Sequence, residues 1–173
     1  VGSLDGNLYA IDATSGEMRW RFSEPANAIL SSPTVVNGTV YLADTDGTMY
    51  AVSAESGVKE WEFSQPSGNS GSSPTVVDNI VYFGDTSGNM YAVNSNSGGR
   101  EWSFSSSARS IATSPNIVAG SIYIGFSEPA QVFYSTGARS TSQNADSGIM
   151  YSIDRDSGEQ EWTSGEIDGV VTT

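Results

Sequence analysis

The chain contains no cysteine and no histidine, and its 173 residues include a single lysine, Lys59. Ser-His-Asp triads, Cys-His pairs and ordinary zinc sites are therefore excluded within these residues. The sequence has no glycine-rich phosphate loop and no basic patch, so we expect no nucleotide or nucleic-acid binding. It also lacks a run of about 20 apolar residues, and we expect no membrane insertion.

Basic residues are scarce relative to acidic ones. Twenty Asp and Glu face seven Lys and Arg, which gives a formal net charge of −13. Such a chain repels itself at low salt, whereas about 1 M salt shortens the Debye length to roughly 3 Å and relieves the repulsion. Strong acidity with little lysine resembles the composition of proteins from salt-loving organisms. A surface for a cationic partner is the alternative interpretation.

A tryptophan recurs along the chain, and a tyrosine and a glycine precede it at the same spacing in every copy. The tryptophans are Trp20, Trp61, Trp102 and Trp162, the tyrosines are Tyr9, Tyr50, Tyr91 and Tyr151, and the glycines are Gly16, Gly57, Gly98 and Gly158. The first two intervals between tryptophans are equal, whereas the last is longer and contains an insertion at roughly 126–146. A regular period of about 40 residues predicts stacked β-propeller blades.

Each repeat contains four short runs of β-branched and aromatic residues, separated by turn residues such as Asn37-Gly38. No segment has the pattern of an amphipathic helix. We therefore predict an all-β β-propeller with four-stranded antiparallel blades, in a single domain over residues 1–173 with about four blades. The blade segments are 1–22, 33–63, 74–104 and 115–163, and residues 164–173 begin a further blade.

Both ends of the sequence fall inside blades. Residues 1–3 align with residues 42–44 of the next repeat, and residues 171–173 stop just before an expected proline. We expect these blades to be part of a larger ring. Two alternatives are a closed four-bladed ring and head-to-tail self-association, in which two chains meet through their open blade edges to build about eight blades.

Residues 10–20, 51–61 and 92–102 resemble the tryptophan-docking motif of quinoprotein-type β-propellers. The fourth copy departs from the motif, with Ser152 in place of alanine and Ser164 in place of phenylalanine. The resemblance implies that each indole docks against a neighbouring blade and donates its N–H to a backbone carbonyl. It also implies that the glycine before each tryptophan permits a tight turn. The four tryptophans and the four glycines are thus expected to be structural docking residues.

Proteins of that superfamily are of two kinds. The dehydrogenases look like eight-bladed rings with calcium and pyrroloquinoline quinone (PQQ) on the axis, and many carry a vicinal disulfide that a chain without cysteine cannot form. The non-enzymatic members include a lipoprotein of the bacterial outer-membrane assembly machinery and extracellular sensor domains. The second kind fits better. We expect a non-catalytic scaffold for protein–protein interaction or sensing, extracytoplasmic or on the cell surface, without cofactor or catalytic residues.

The alternative function is a fragment of a PQQ- and calcium-dependent quinoprotein dehydrogenase. Acidic turns at residues 3–6, 44–47 and 85–88 offer carboxylates, which calcium prefers as ligands. Their spacing is not that of a full calcium loop, however, and Asp or Asn before Gly is also typical of hairpin turns. We interpret these segments as turns and predict no metal. The same turn chemistry explains the glycosylation sequon that begins at Asn37.

The insertion is the least repetitive segment of the chain. It contains Phe133, Tyr134 and Arg139 within a polar stretch, and it lies between the second and third strands of its blade. Loops at such positions project from one face of a propeller and commonly carry function. We name these three residues as a possible partner contact. The alternative is a loop that folds back and buries its aromatic rings on its own blade.

Overall fold

The computed structural model describes residues 1–64, 72–106, 110–111, 113–127, 133–135, 138–140, 147–165 and 167–168. All regular structure in these residues is β-strand. None of the described segments forms a helix long and apolar enough to cross a membrane. The first blade contains β1 (Leu8–Ile11) and β2 (Met18–Phe22), which pair antiparallel, and a β-bridge joins Gly2 to Leu8.

The second and third blades are complete four-stranded antiparallel sheets in which each strand pairs with the next along the chain. The second blade contains β3 (Thr34–Val36), β4 (Thr39–Ala43), β5 (Thr48–Ser53) and β6 (Lys59–Ser64), and the third contains β7 (Thr75–Val77), β8 (Ile80–Gly84), β9 (Asn89–Asn94) and β10 (Arg100–Ser105). Asn37 and Gly38 both have positive φ, 50° and 84°, as the predicted two-residue hairpin turn requires. The all-β class and the four-stranded antiparallel blades are confirmed.

The fourth blade has the same four strands with additions at both edges. Its strands, with those of the insertion, are β11 (Ser110–Ile111), β12 (Asn116–Val118), β13 (Ser121–Ser127), β14 (Phe133–Ser135), β15 (Ala138–Ser140), β16 (Ser147–Asp154), β17 (Gln160–Thr163) and β18 (Ile167–Asp168). The blade follows the order β12, β13, β16 and β17, with β11 paired to β13 and β18 paired to β16. Within the described residues, β14 and β15 pair with each other.

Two predicted boundaries differ from the structure. Strand β13 continues to Ser127, and Phe126 pairs with Ile149 and is fully buried, so Phe126 belongs to the blade core and not to the insertion. Within the segment 164–173, predicted to begin a further blade, the described strand β18 pairs with Ser147 and Gly148 of the fourth blade, and residues 169–173 lie outside the described residues. The reason is that β16 extends beyond the length of β5 and β9, which leaves its first residues an edge for β18.

Side chains of the middle strands alternate between the two neighbouring blades, because successive residues of a strand point to opposite faces. In β4, Val40 and Leu42 pack with Leu8 and Phe22 of the first blade. Tyr41 and Ala43 point the other way, into a cluster with Val81 and Phe83 of the third blade. Complete burial of a side chain such as Leu42 stabilises the fold by roughly 1.5–3 kcal/mol. The core therefore lies between blades.

Hydroxyl groups join the inner strands of successive blades. The Thr34 hydroxyl donates to the Pro74 carbonyl over 2.6 Å, and the equivalent Thr75 hydroxyl donates to Pro115 over 2.7 Å. Nearby, the backbone N–H of Ser32 donates to the Ser73 hydroxyl over 2.9 Å. These bonds repeat with the blade period, so they fix the spacing of the blades at the inner edge of the ring segment.

Candidate functional site

Three of the four tryptophans contact the following blade. Trp20 donates its indole N–H to the Ala54 carbonyl over 3.0 Å, and Trp61 donates to the Ser95 carbonyl over 2.8 Å. Trp102 donates to the Arg155 carbonyl over 3.0 Å. Each acceptor lies in the turn between the third and outer strands of the following blade. The indoles therefore link neighbouring blades.

A glycine three positions after each acceptor lies against the indole ring. A Cβ built on Gly57, Gly98 or Gly158 would come within 2.7, 2.9 and 2.6 Å of the rings of Trp20, Trp61 and Trp102, respectively. These glycines also have positive φ, between 71° and 74°, which favours glycine for a second reason. We call the carbonyl and glycine together the docking seat. Any other residue at the glycine would displace the indole.

The fourth tryptophan and the first glycine have no such partner among the residues that the structure describes. Trp162 is 45% exposed, whereas Trp61 is 8% exposed. Gly16 has φ 73° like the other three glycines, but no described atom lies within 4 Å of its built Cβ. In the part of the chain that the structure describes, Trp162 and the turn of Ala13 and Gly16 therefore lie on the outer sides of the fourth and first blades.

A second aromatic column, which lies outside the tryptophan motif, supports the indoles. Tyr41, Tyr82 and Tyr123 pack beside Trp61, Trp102 and Trp162, with ring centroids 5.9, 5.9 and 6.0 Å apart. These tyrosines repeat with the blade period on the second strand of each blade. The regular spacing of these tyrosines is visible in the sequence. The tyrosines of the motif, such as Tyr50 and Tyr91, are more prominent because each precedes a tryptophan by the same number of residues.

The acidic turns at Asp44 and Asp85 accept hydrogen bonds from their own blades. Asp44 accepts from the Thr48 N–H over 3.0 Å and from the Tyr50 hydroxyl over 3.3 Å. Asp85 accepts from Tyr91 over 3.3 Å and also from two backbone N–H groups. Burial raises the pKa of Asp44 and raises the pKa of Tyr50 to about 12. The residues that the structure describes include no group of three or more Asp and Glu placed to hold a metal ion.

Aspartates hold the turns of the first and fourth blades, where Ser53 and Asn94 occupy the equivalent positions of the second and third. Asp12 accepts from the N–H groups of Thr14 and Ser15 over 2.9 and 3.0 Å. Asp154 accepts from the N–H of Ser157 over 2.8 Å and from its hydroxyl over 2.8 Å. Backbone hydrogen bonds lower the pKa of both aspartates below 3.8, because they stabilise the charged form.

Two ion-pair groups cross blade boundaries. Arg155 of the fourth blade pairs with Asp78 of the third, with 2.7 Å between Nη1 and Oδ2, while its carbonyl accepts the Trp102 bond. Lys59 of the second blade pairs with Glu24, which follows β2, and with Glu62. Hydrogen bonds to Glu24 and Glu62 raise the pKa of Lys59. Exposed pairs of this kind contribute only about 0–1 kcal/mol each, so they supplement the docking seats.

Within the described residues of the insertion, two short strands pair as the arms of a β-hairpin. Strand β14 pairs with β15 so that Tyr134 lies opposite Arg139 and Phe133 lies opposite Ser140. The hairpin connects β13 to β16, at the end of the blade where the second blade has only the short turn 44–47. The backbone thus brings the three proposed contact residues onto one two-stranded unit. Their side chains lie outside the described part of the structure.

The blades are four-stranded antiparallel sheets, and an indole on the outer strand docks on the next blade. These two features define a β-propeller of the quinoprotein type. The family model described as outer membrane protein assembly factor BamB matches residues 1–172. The chain belongs to this family. No curated protein matches the chain in sequence.

Solved structures show the same fold at low sequence identity. The chain is similar to BamB from Moraxella catarrhalis, with a TM-score of 0.65, 20% identity, and coverage of 96% of this chain and 60% of that protein. It is also similar to a quinohemoprotein alcohol dehydrogenase from Pseudomonas putida HK5, with a TM-score of 0.62, 22% identity, and coverage of 77% and 20%. The chain therefore spans less than two thirds of each of these proteins.

A third similar structure is the computationally designed protein Ika8, which has a TM-score of 0.77 and 16% identity. The match covers 99% of this chain and 47% of the designed protein. Since an outer membrane protein assembly factor, an alcohol dehydrogenase and a designed protein all share the fold, the fold alone does not decide activity.

We predict that Gly57→Ala destabilises the protein more than Gly38→Ala. Both glycines lie in the second blade with positive φ, 72° and 84°, so both variants bear left-handed strain of about 1–2 kcal/mol. Only the Gly57 methyl would overlap the Trp20 ring, since no described atom lies within 4 Å of a Cβ at Gly38. Urea unfolding should show an extra loss of about 1–3 kcal/mol for Gly57→Ala. Equal losses would contradict the docking seat as a source of stability.

We predict that the turn aspartates make stability pH-dependent. Since their folded pKa values lie below the unfolded value near 3.8, their stabilisation is present above about pH 4 and is lost as the pH falls further. The Asp12→Asn/Asp154→Asn variant keeps a side-chain oxygen acceptor but cannot titrate. Its melting temperature should therefore fall less than that of the wild type between about pH 5 and pH 2.

The control for this pH experiment is Glu17→Gln/Glu159→Gln, which removes two exposed acids beside the Asp12 and Asp154 turns and leaves the hydrogen bonds of those turns in place. Its profile corrects for the general effect of net charge. If the corrected profiles of the wild type and the double asparagine variant coincide, the two aspartates do not control acid stability.

Proposed function

We propose that this chain is part of a non-catalytic scaffold that binds another protein in an extracytoplasmic compartment. The observation that carries the proposal is membership of a family described as an outer membrane protein assembly factor, over residues 1–172. Two further features support it. The sequence has no histidine or cysteine to serve as acid-base catalyst or nucleophile. The buried carboxylates of Asp44 and Asp85 accept hydrogen bonds within their own blades.

We place the protein contact on the hairpin of β14 and β15. This hairpin distinguishes the fourth blade from the second and third, which have short turns at 44–47 and 85–88 in its place. A rigid scaffold that carries an extended hairpin at one face is a common arrangement for binding. Phe133, Tyr134 and Arg139 would supply aromatic and guanidinium groups, which are enriched in protein interfaces.

Photo-crosslinking in the source cells tests this assignment. A photoreactive amino acid at position 134 should link to one protein species that mass spectrometry identifies. The matched position is Val58, which is 63% exposed in a turn at the opposite end of its blade and should give no link to that species. A second control replaces residues 128–147 by Asn-Gly, a two-residue turn between the paired residues Ser127 and Gly148. This variant should lose binding of the identified protein.

Equal linking from both positions, or binding that survives the shortened hairpin, would place the contact elsewhere.

The dehydrogenase alternative is tested separately, by measuring cofactor binding and substrate oxidation. The longest natural polypeptide that carries this chain is incubated with PQQ and calcium. Stoichiometric quinone binding together with dye reduction that depends on an alcohol or sugar would establish an enzyme and overturn the scaffold proposal. We propose that neither occurs and that no cofactor or metal is bound.

We also propose that the protein works in high salt. Its net charge of −13 produces self-repulsion that screening relieves. The melting temperature should therefore rise from about 0.1 M to about 2 M KCl. In the Glu17→Lys/Glu55→Lys variant, each substitution of an exposed acid adds two charge units, and −13 becomes −9. This variant should show a smaller rise, and a salt response that does not depend on charge would refute the explanation.

A further inference from the structure

A cavity of about 290 Å³ lies between the second and third blades, both of which are complete four-stranded sheets. Its walls come from three turns: the turn between β3 and β4 with Asn37, the turn between β7 and β8 with Asp78 and Asn79, and the turn after β9 with Ser95. Tyr41 and two valines also line it. The cavity and the hairpin of β14 and β15 lie at opposite ends of the blades, so this site is independent of the proposed protein contact.

Ser95 brings a buried hydroxyl group to the cavity. The residue is 6% exposed, its carbonyl accepts from Trp61, and its N–H donates to the Asn79 carbonyl. Among the residues that the structure describes, the Ser95 hydroxyl has no hydrogen-bond partner, and neither have the side-chain amides of Asn37, Asn79 and Asn96 beside it. Buried polar groups are nearly always hydrogen-bonded. The hydroxyl therefore indicates an occupant of the cavity that supplies its partner.

The equivalent space between the third and fourth blades contains a guanidinium group. Arg155 occupies the position of Ser95, since both backbone carbonyls accept the indole N–H of the preceding blade. The Arg155 side chain is 23% exposed and crosses to Asp78, which occupies the position of Asn37 one repeat later. The chain thus places its own guanidinium group at one junction between blades, and at the junction before it the same space is a cavity.

We propose that this cavity binds an alkylguanidinium ligand. The side-chain oxygens of Asn37 and Ser95 accept from the planar N–H groups of the ligand, and the Asp78 carboxylate supplies the opposite charge. Arg155 occupies Oδ2 of Asp78, whereas Oδ1 has no partner within the described ranges. Tyr41 and the two valines provide an apolar wall along which the alkyl chain of the ligand packs.

The charges around the cavity favour a cation. No lysine or arginine is among the residues that line it, whereas Asp78 does, and Glu60 accepts from the wall residue Thr39 over 3.0 Å. Arg155, which shares Asp78, is also paired with Asp156 over 3.4 Å. The formal net charge of −13 adds a general attraction for cations. Binding of the ligand should therefore weaken as KCl increases, because salt screens these charges.

Titration of the isotope-labelled chain with butylguanidinium, followed by NMR, tests the proposal, and butylurea is the uncharged compound of the same shape. The signals of Asn37, Asn79 and Ser95 should shift and saturate, with a dissociation constant of about 1 mM or lower in about 0.1 M KCl. Butylurea should bind about tenfold more weakly or not at all, since it lacks the charge that Asp78 recognises.

Three variants locate the site. Ser95→Arg places the chain's own guanidinium group in the cavity, as Arg155 does at the next junction, so it should abolish binding and keep the melting temperature. Asp78→Asn keeps the shape of an exposed turn and removes its charge, so it should weaken binding about tenfold. Its matched control is Asp156→Asn, which removes the other acid paired with Arg155 and should leave the affinity unchanged. Asp78→Asn tests the site even if the buried substitution at Ser95 prevents folding.

Two further ligands distinguish the sources of the guanidinium group. Agmatine is a free alkylguanidinium, whereas N-acetyl-arginine N-methylamide represents an arginine side chain within a polypeptide. Tighter binding of agmatine assigns the cavity to a small metabolite. Tighter binding of the arginine amide assigns it to an arginine of another protein. Both results support a guanidinium site, and each identifies a different source.

Several outcomes would overturn the proposal. If butylurea binds as tightly as butylguanidinium, the cavity does not select a cation. Signals that shift equally at exposed acids throughout the chain would indicate general counter-ion binding. Binding that a folded Ser95→Arg variant retains would place the ligand elsewhere. The absence of saturable shifts up to about 20 mM butylguanidinium would mean that water alone satisfies the Ser95 hydroxyl.

Discussion

The hydrogen bond from an indole to the carbonyl of the next blade is the constraint on which the rest of the structure depends. A buried indole needs an acceptor for its N–H, and here that acceptor lies in a turn of another blade. The ring must also lie flat on that turn, so the turn needs a glycine, and the glycine needs positive φ. One contact therefore fixes the residue types at two positions, the tryptophan and the glycine, and the distance between blades. The regular period of the sequence follows from repeating it.

Much of this could be predicted from the sequence, because the constraint repeats. The blade class, the antiparallel strands and the turn at Asn37 and Gly38 follow from local chemistry that each repeat presents again. The boundary at Phe126 was missed because its cause does not repeat. Phe126 belongs to β13 because it pairs with Ile149, a partner that lies beyond the insertion and that no local pattern indicates. The tyrosines beside the indoles were missed for another reason: they lie on the second strand of each blade, outside the motif that ends at the tryptophan.

The candidate contact site shows the limit of sequence reasoning more sharply. The interval between Trp102 and Trp162 is longer than the other intervals, and in a regular repeat the extra residues indicate an insertion. The composition of the insertion did not indicate a hairpin, since Ser and Thr are frequent in it and its two strands have only three residues each. Pairing between β14 and β15 is what brings Tyr134 and Arg139 opposite one another. A regular repeat thus shows where in the sequence an inserted segment lies. The structure of that segment depends on strand pairing that occurs only once.

The contact that stabilises the stack also determines how deeply each indole is buried. Inside the stack an indole such as Trp61 is 8% exposed, and the seat that receives it is filled. A linear series of identical contacts always leaves one donor and one acceptor unused, however many blades it contains, and only closure removes them. A net charge of −13 distributed along the chain makes neighbouring blades repel one another, since repulsion acts over about 10 Å in 0.1 M salt and only over about 3 Å in 1 M salt. The docking contacts therefore hold the blades together against this repulsion, and the repulsion they must overcome falls as the ionic strength rises.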